Sequence, residues 1–300
     1  MFPDDGESVE SLLRNAEVAL TQSKQGGWNG YQFHSHSFDV ECRERLSLEN
    51  QLRRALEREE LLLHYQPKID LRANRIVGAE ALMRWQHPEL GLVLPERFIP
   101  IAEETDLIES LGEWALRHAC RQNKTWQTAG LGPLRIAVNV SGRQFHPERF
   151  PEMIRGALQT SGLGAEYLLL ELTESVLMEN PEDTMGMLER IKGLGLKIAI
   201  DDFGIGYSSM TYLKRFPLDE VKIDRSFVEG IPRDSENAEI VNAIIGLAHS
   251  LGMTAAAEGV ETEEQLAFLK DRGCDECQGG LFSMPVPASE WMALSRKDRD

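Results

Sequence analysis

The sequence predicts an α/β fold, a TIM-like (β/α)8 barrel with an antiparallel first strand, on three observations. From about Leu61 onward, short strand-like runs alternate with longer helical stretches, the pattern of an α/β chain. Eight such runs can be counted along the sequence, the number that closes a barrel. The link between the first two, Arg72-Ala73-Asn74-Arg75, is too short for a crossover, so that pair is an antiparallel hairpin.

The runs are Leu61 to Leu71, Ile76 to Trp85, Arg135 to Ser141, Leu168 to Ser175, Lys197 to Gly204, Glu220 to Phe227, Thr254 to Glu261, and Glu276 to Ser283. From the second onward, the intervening segments are long enough for crossover helices, so these strands run parallel. Phe98 to Gly130 is the longest of these segments. Leu46 to Leu56, rich in charge, reads as a helix that leads into the first strand.

Composition narrows the function. With 42% hydrophobic residues in 300, the chain buries a large core. A formal charge of −17 excludes a general DNA or RNA surface, which needs a basic stripe to displace counterions. A small anionic substrate stays compatible where local cations offset the acidic field. The apolar runs are strand-sized, and Met1-Phe2-Pro3-Asp4-Asp5 lacks the basic and apolar regions of a signal peptide. The segment is therefore expected to be cytoplasmic, without membrane contact. Cys274 and Cys277 form a CxxC but have no second pair of ligands at zinc spacing, so they read as reduced cysteines at a strand start. The seven histidines show no metal spacing.

In such a barrel, reactive groups collect where strands end, at the C-terminal face. Polar residues recur there: Glu80 and Arg84, Asn139, Glu171 and Glu174, Asp201 and Asp202, Lys222 and Asp224, Glu258 and Glu261, and Gln278. A carboxylate in an otherwise apolar strand is costly unless it is paired or bound to a cation. The simplest explanation is that Glu80, Asn139, Glu171, Asp201, Asp202 and Glu258 converge on divalent metal ions. An all-oxygen set suits Mg²⁺ or Mn²⁺ rather than zinc. Lys222 taken alone reads equally as a salt-bridge partner or a catalytic group.

These residues also carry a pattern. Glu80-Ala81-Leu82-Met83-Arg84-Trp85 with His87-Pro88 resembles the signature of the EAL family. Asn139-Val140-Ser141, Glu171-Leu172-Thr173-Glu174-Ser175, the run Asp201 to Ser209, Lys222-Ile223-Asp224, Ala257-Glu258-Gly259-Val260-Glu261 and Gln278-Gly279 resemble further family motifs in family order. The resemblance covers roughly 48–287 of the chain. It implies a barrel with a reversed first strand, and hydrolysis of cyclic-di-GMP to linear pGpG with two Mg²⁺ or Mn²⁺ ions activating water.

By resemblance, Glu80, Asn139, Glu171, Asp201, Asp202 and Glu258 match metal ligands. Lys222 and Gln278 match residues near the attacking water, with Glu80 and Glu174 also in the catalytic set. Glu174 would brace the loop Phe203 to Ser209 and couple it to metal binding and to the contacts of a homodimer. Gln66, Leu82, Arg84 and Glu261 match substrate contacts. Two positions depart from the family: Gly280 stands where an aromatic is usual after Gln-Gly, and Ile205 where Thr is common. The Asp202-Phe203-Gly204 string has no kinase loops beside it. The alternative is a non-hydrolysing cyclic-di-GMP receptor that signals to a partner, although such receptors usually lose metal ligands.

Residues 1–40 resemble the end of a GGDEF domain without its signature, as in Phe2-Pro3-Asp4-Asp5-Gly6 and Leu12 to Leu20. The expected organisation is therefore a GGDEF-like remnant over 1–40, a connecting helix over 41–60, the barrel over 61–290 and a C-terminal tail over 291–300. That organisation is compatible with a membrane anchor in the longer parent protein.

Overall fold

The computed structural model describes residues 36–146, 148–206 and 210–297, with 8–10, 12–13 and 16. The GGDEF-like remnant therefore lies largely outside the described residues. In chain order the elements are α1 (His36–Ala55), β1 (Leu61–Asp70), β2 (Arg75–His87), β3 (Gly91–Val93), α2 (Pro95–Glu104), α3 (Leu107–Thr128), β4 (Arg135–Val140), α4 (Arg149–Ser161) and β5 (Leu168–Thr173). There follow α5 (Glu174–Glu179), α6 (Pro181–Lys192), β6 (Lys197–Phe203), α7 (Met210–Leu213), β7 (Glu220–Ile223), α8 (Arg225–Val228), α9 (Ser235–Ser250), β8 (Thr254–Ala257), α10 (Glu263–Asp271), β9 (Glu276–Cys277), β10 (Val286–Pro287) and α11 (Ala288–Lys297).

Pairing runs β1-β9-β8-β7-β6-β5-β4-β2 and returns from β2 to β1, which closes an eight-stranded barrel. β1 is antiparallel to both its neighbours, and the other pairings of the ring are parallel. Two short strands beyond the expected set, β3 and β10, extend the rim antiparallel to β2 and β1.

The main apolar core lies between this ring and the helices, where Leu170, Ile198 and Val221 meet Leu116, Ile154, Leu188 and Ile245. Each fully buried Leu or Ile contributes about 1.5–3 kcal/mol relative to exposure. A second cluster joins Leu48, Leu52 and Ala55 of α1 to Trp85, Phe98 and Ile101. Gln51 is hydrogen-bonded to His87, and Trp85 Nε1 donates to Glu60 Oε2 at 3.0 Å. The connecting helix is thus docked on the barrel, and it ends at Ala55, with a turn before β1.

Several strands stop earlier than the sequence pattern suggests. β5 ends at Thr173, and Glu174 opens α5. β7 ends at Ile223, where Asp224 accepts the Ser226 N–H at 2.8 Å and caps α8. β9 stops before Gln278-Gly279, where a Cβ on Gly279 would stand 2.1 Å from the Val260 oxygen. Only glycine fits there.

Residues 291–297 of the expected tail lie instead in α11. Trp291 is fully buried and stacks on Trp126 with ring centroids 4.9 Å apart. Cys274 and Cys277 are free and buried, and burial pushes the Cys277 thiol up to about 12. Among the described residues, no helix is long and apolar enough to cross a membrane.

Candidate active site

Side chains alternate across a strand, so every second residue faces the barrel interior. On β2 this sets Glu80, Leu82 and Arg84 on one face. On β1 it sets Gln66 opposite Glu80, and Leu62 opposite Arg84. Ala137, Leu169 and Ala199 form a small buried cluster on β4, β5 and β6, and Asn139, Glu171 and Asp201 follow two residues later on the same faces. Asp201 and Asp202 are adjacent and would ordinarily face opposite ways. A register shift between Ile200 and Phe203 and a left-handed Asp202, at φ 52°, break that alternation, a bulge geometry that Asp tolerates.

At the centre stands Lys222, 1% exposed. Its Nζ lies 2.5 Å from Glu258 Oε1, 2.8 Å from Glu171 Oε2, 3.0 Å from Asp201 Oδ1 and 3.7 Å from Glu80 Oε2. Asn139 Nδ2 donates to Glu80 Oε1 at 2.6 Å, and Gln278 Nε2 donates to Glu80 Oε2 at 2.5 Å. Asp202 sits half-buried at the edge of this group.

One ammonium cannot neutralise four carboxylates. Burial pushes the Glu258 carboxyl up to about 8, and its acidic neighbours add to this against Lys222. Burial, then repulsion from Glu171, raises Glu80. Burial, then Asp201 and Asp224, raises Asp202. Burial alone would raise Glu171 too, but Lys222 and Lys68 outweigh it and hold that carboxyl at about 2. For Lys222, burial is outweighed by the surrounding carboxylates, which raise it well above the usual lysine range.

Among the described residues, no three His, Cys, Asp or Glu side chains stand in a ready-made coordinating cluster. The carboxylates converge on an ammonium instead. The donor set nonetheless fits a hard divalent cation: it is all oxygen, it carries excess negative charge, and beside it the buried Gln278 Oε1 has no hydrogen-bond partner. Such a set favours Mg²⁺ or Mn²⁺ over zinc.

Around the mouth, Gln66 Nε2 donates to the Ser283 oxygen at 3.2 Å. Leu82 is half-buried. Arg84 donates to its neighbour Met83 O at 2.8 Å, while burial, opposed by Glu96 and Glu80, lowers its pKa. Glu261 is exposed and paired with Arg225 at 2.9 Å. A Cβ on Gly280 would meet only Met284 and Glu261, at 3.5 and 3.8 Å, so the position has room for a side chain. Glu174 stands apart from the Lys222 cluster. It is buried, and its Oε2 accepts the Gly204 N–H at 3.0 Å.

Sequence reading missed a second ionic cluster, deeper in the barrel. Lys68 Nζ lies 2.6 Å from Glu220 Oε1 and 3.0 Å from Glu171 Oε1. Arg135 is paired with Glu276 and lies 3.5 Å from Glu220 Oε2. The available signal was a charged residue near the floor end of β1, β4, β7 and β9, in phase with Gln66, Asn139, Lys222 and Gln278 on the same strand or just beyond it.

The EAL domain family model matches residues 49–285. Among curated proteins, the chain is 44% identical over 293 residues to the bifunctional diguanylate cyclase/cyclic di-GMP phosphodiesterase MucR of Pseudomonas aeruginosa, covering 98% of this chain and 43% of that protein. It is 46% identical over 287 residues to the cyclic di-GMP phosphodiesterase NbdA of the same organism, covering 96% and 37%. The chain thus spans less than half the length of these relatives. Among solved structures it resembles the P. aeruginosa MucR phosphodiesterase in complex with c-di-GMP, with a TM-score of 0.79 and 45% identity over 82% of this chain and 99% of that one.

Proposed function

This chain belongs to the EAL domain family, and we propose on that premise that it is a phosphodiesterase that opens cyclic-di-GMP to linear pGpG with two Mg²⁺ or Mn²⁺ ions. The observation that carries the reading is the convergence of Glu80, Glu171, Asp201 and Glu258 on Lys222, with more negative charge than one ammonium balances. The printed names of MucR and NbdA support it.

Glu80, Asn139, Glu171, Asp201, Asp202 and Glu258 would hold the ions. When bound, the ions supply charge to the scissile phosphate and lower the pKa of water. Lys222 is held protonated by its carboxylates, so it acts as a donor that orients the water and the phosphate oxygen, not as a base. Gln278 fixes Glu80 through Nε2, and its buried Oε1 is left without a hydrogen-bond partner. Arg84 offers a planar fork to a phosphate oxygen. Gln66 and Leu82 line the same wall, and Glu261, beside the open Gly280 position, would accept from a guanine edge once released from Arg225. In the net reaction the water oxygen joins phosphorus, one ester P–O bond breaks, and the leaving oxygen takes a proton.

The same reading makes residues 1–40 the end of a cyclase-like domain and places the chain in the cytoplasm. It also makes the chain a homodimer, supported by the exposed Ile205 and Met210 on either side of 207–209. The test incubates the protein with cyclic-di-GMP and Mg²⁺ or Mn²⁺ and separates the products. Conversion to pGpG supports the enzyme. Tight binding without product overturns it in favour of a receptor.

A further inference from the structure

Lys68 is an unusual resident of a barrel interior. It is 3% exposed and comes from β1, the strand that runs against the rest. Because β1 descends from mouth to floor, Gln66 faces the mouth and Lys68 lies one interior position deeper. Its cross-strand partner is Gly78. Directly opposed residues share a face, so no side chain competes with the lysine there. Gly78 is itself fixed by packing, since a Cβ on it would stand 2.8 Å from the Arg135 oxygen.

The ammonium divides one carboxylate between two levels of the barrel. Glu171 Oε1 faces Lys68 at 3.0 Å, while Glu171 Oε2 faces Lys222 at 2.8 Å. Lys68 is held in turn from below by Glu220 Oε1 at 2.6 Å, and Glu220 is backed by Arg135. With Glu171 only 1% exposed, water does not offer an alternative partner for Oε1.

We propose that Lys68 is a positioning residue for Glu171: it ties Oε1 to the floor of the barrel, so that a single oxygen, Oε2, is presented to a cation at the mouth. The inference rests on the reading of the mouth as a divalent-metal site. Without Lys68, Glu171 Oε1 and Glu220 Oε1 would lose the ammonium between them, and Glu171 would be held through Oε2 and Lys222 alone. Partners that orient a metal-binding group typically matter by about 10–100-fold in metal affinity or activity.

The test measures Mn²⁺ binding by calorimetry and by the loss of the free-ion EPR signal, without substrate, in the wild type, Lys68→Met, Lys68→Gln and Glu220→Gln. Lys68→Met is expected to weaken Mn²⁺ binding at least about tenfold. Its KM for cyclic-di-GMP at saturating metal should stay unchanged, and excess metal should restore part of kcat. Lys68→Gln keeps a donor for Oε1 and should recover part of the affinity, which also covers the case in which the methionine variant does not fold. Glu220→Gln loosens the floor but leaves the Lys68–Glu171 contact, so it should bind Mn²⁺ nearly as the wild type does. Wild-type affinity in a folded Lys68 variant overturns the proposal, as do equal losses in the Lys68 and Glu220 variants. If the wild type itself binds no Mn²⁺, the metal-site reading fails and this proposal fails with it.

Discussion

Two ionic clusters occupy one barrel, and they differ in balance. On the floor, Lys68 and Arg135 meet Glu220 and Glu276, two cations for two carboxylates. At the mouth, Glu80, Glu171, Asp201 and Glu258 share Lys222, with Asp202 beside them. A balanced buried network holds strands together, and breaking it strands a charge. An unbalanced one is a standing cost that a bound cation would relieve, the arrangement expected of a site and not of a scaffold. Among the described residues, Lys68 touches both clusters, through Glu220 below and Glu171 above.

Because the two levels differ in charge balance, substitutions in them should have opposite signatures. The largest effect is expected at the mouth. Asp201→Asn and Glu80→Gln should each lower turnover by several kcal/mol of barrier, roughly a thousandfold, while thermal unfolding of the metal-free protein shifts upward or not at all, because like-charge repulsion falls. A marked loss of stability in either variant would make the mouth another scaffold. On the floor, Arg135→Met should cost about 3 kcal/mol of stability, read from the urea midpoint, because Glu276 loses its cation and Glu220 keeps only Lys68. Turnover per folded molecule should be unchanged.

Metal addition sharpens the contrast. At about a hundredfold excess over its Kd, an ion that binds only the folded state stabilises it by about 2.7 kcal/mol. Mg²⁺ or Mn²⁺ should therefore raise the melting temperature of the wild type and of Arg135→Met alike, and do little for Asp201→Asn. Equal stabilisation of all three proteins would place ion binding somewhere other than the mouth.

The two levels were unequally legible in the sequence. The mouth could be read because its carboxylates fall at strand ends, where an apolar run breaks. The closed barrel could be read from the eight strand-like runs, and its reversed first strand from the link 72–75, which is too short for a crossover. The floor was hidden. Lys68, Arg135, Glu220 and Glu276 sit near strand boundaries, where a charge ordinarily means solvent, and only closure of the ring turns them inward. α11 was missed for a related reason: the apolar run Trp291 to Leu294 is short and flanked by charged residues, and Trp126, the partner of Trp291, is remote in sequence. The bulge at Asp202 was invisible too, since a register shift depends on the neighbouring strand.

The smallest expected effect concerns a carboxylate that belongs to neither cluster. Glu174 opens α5 at the end of β5, is 2% exposed, and accepts the Gly204 N–H through Oε2. Its Oε1 has no hydrogen-bond partner, and a Cβ on Gly206 would lie 2.9 Å from it. The carboxylate therefore clamps the segment that follows Asp201 and Asp202. Removing it should free that backbone without removing an oxygen from the Lys222 cluster. Glu174→Ala should reduce turnover about tenfold at low metal, the lower end for a group that positions a ligand, with part of the rate restored by extra Mg²⁺. Glu174→Gln keeps an acceptor for the Gly204 N–H and should lie closer to the wild type. Gly206→Ala, which presses on the same carboxylate from the other side, should mimic the alanine variant. A metal titration of all three separates the two roles: full activity of Glu174→Ala at low metal removes the clamp, and a loss that no metal concentration restores moves Glu174 into the catalytic cluster itself.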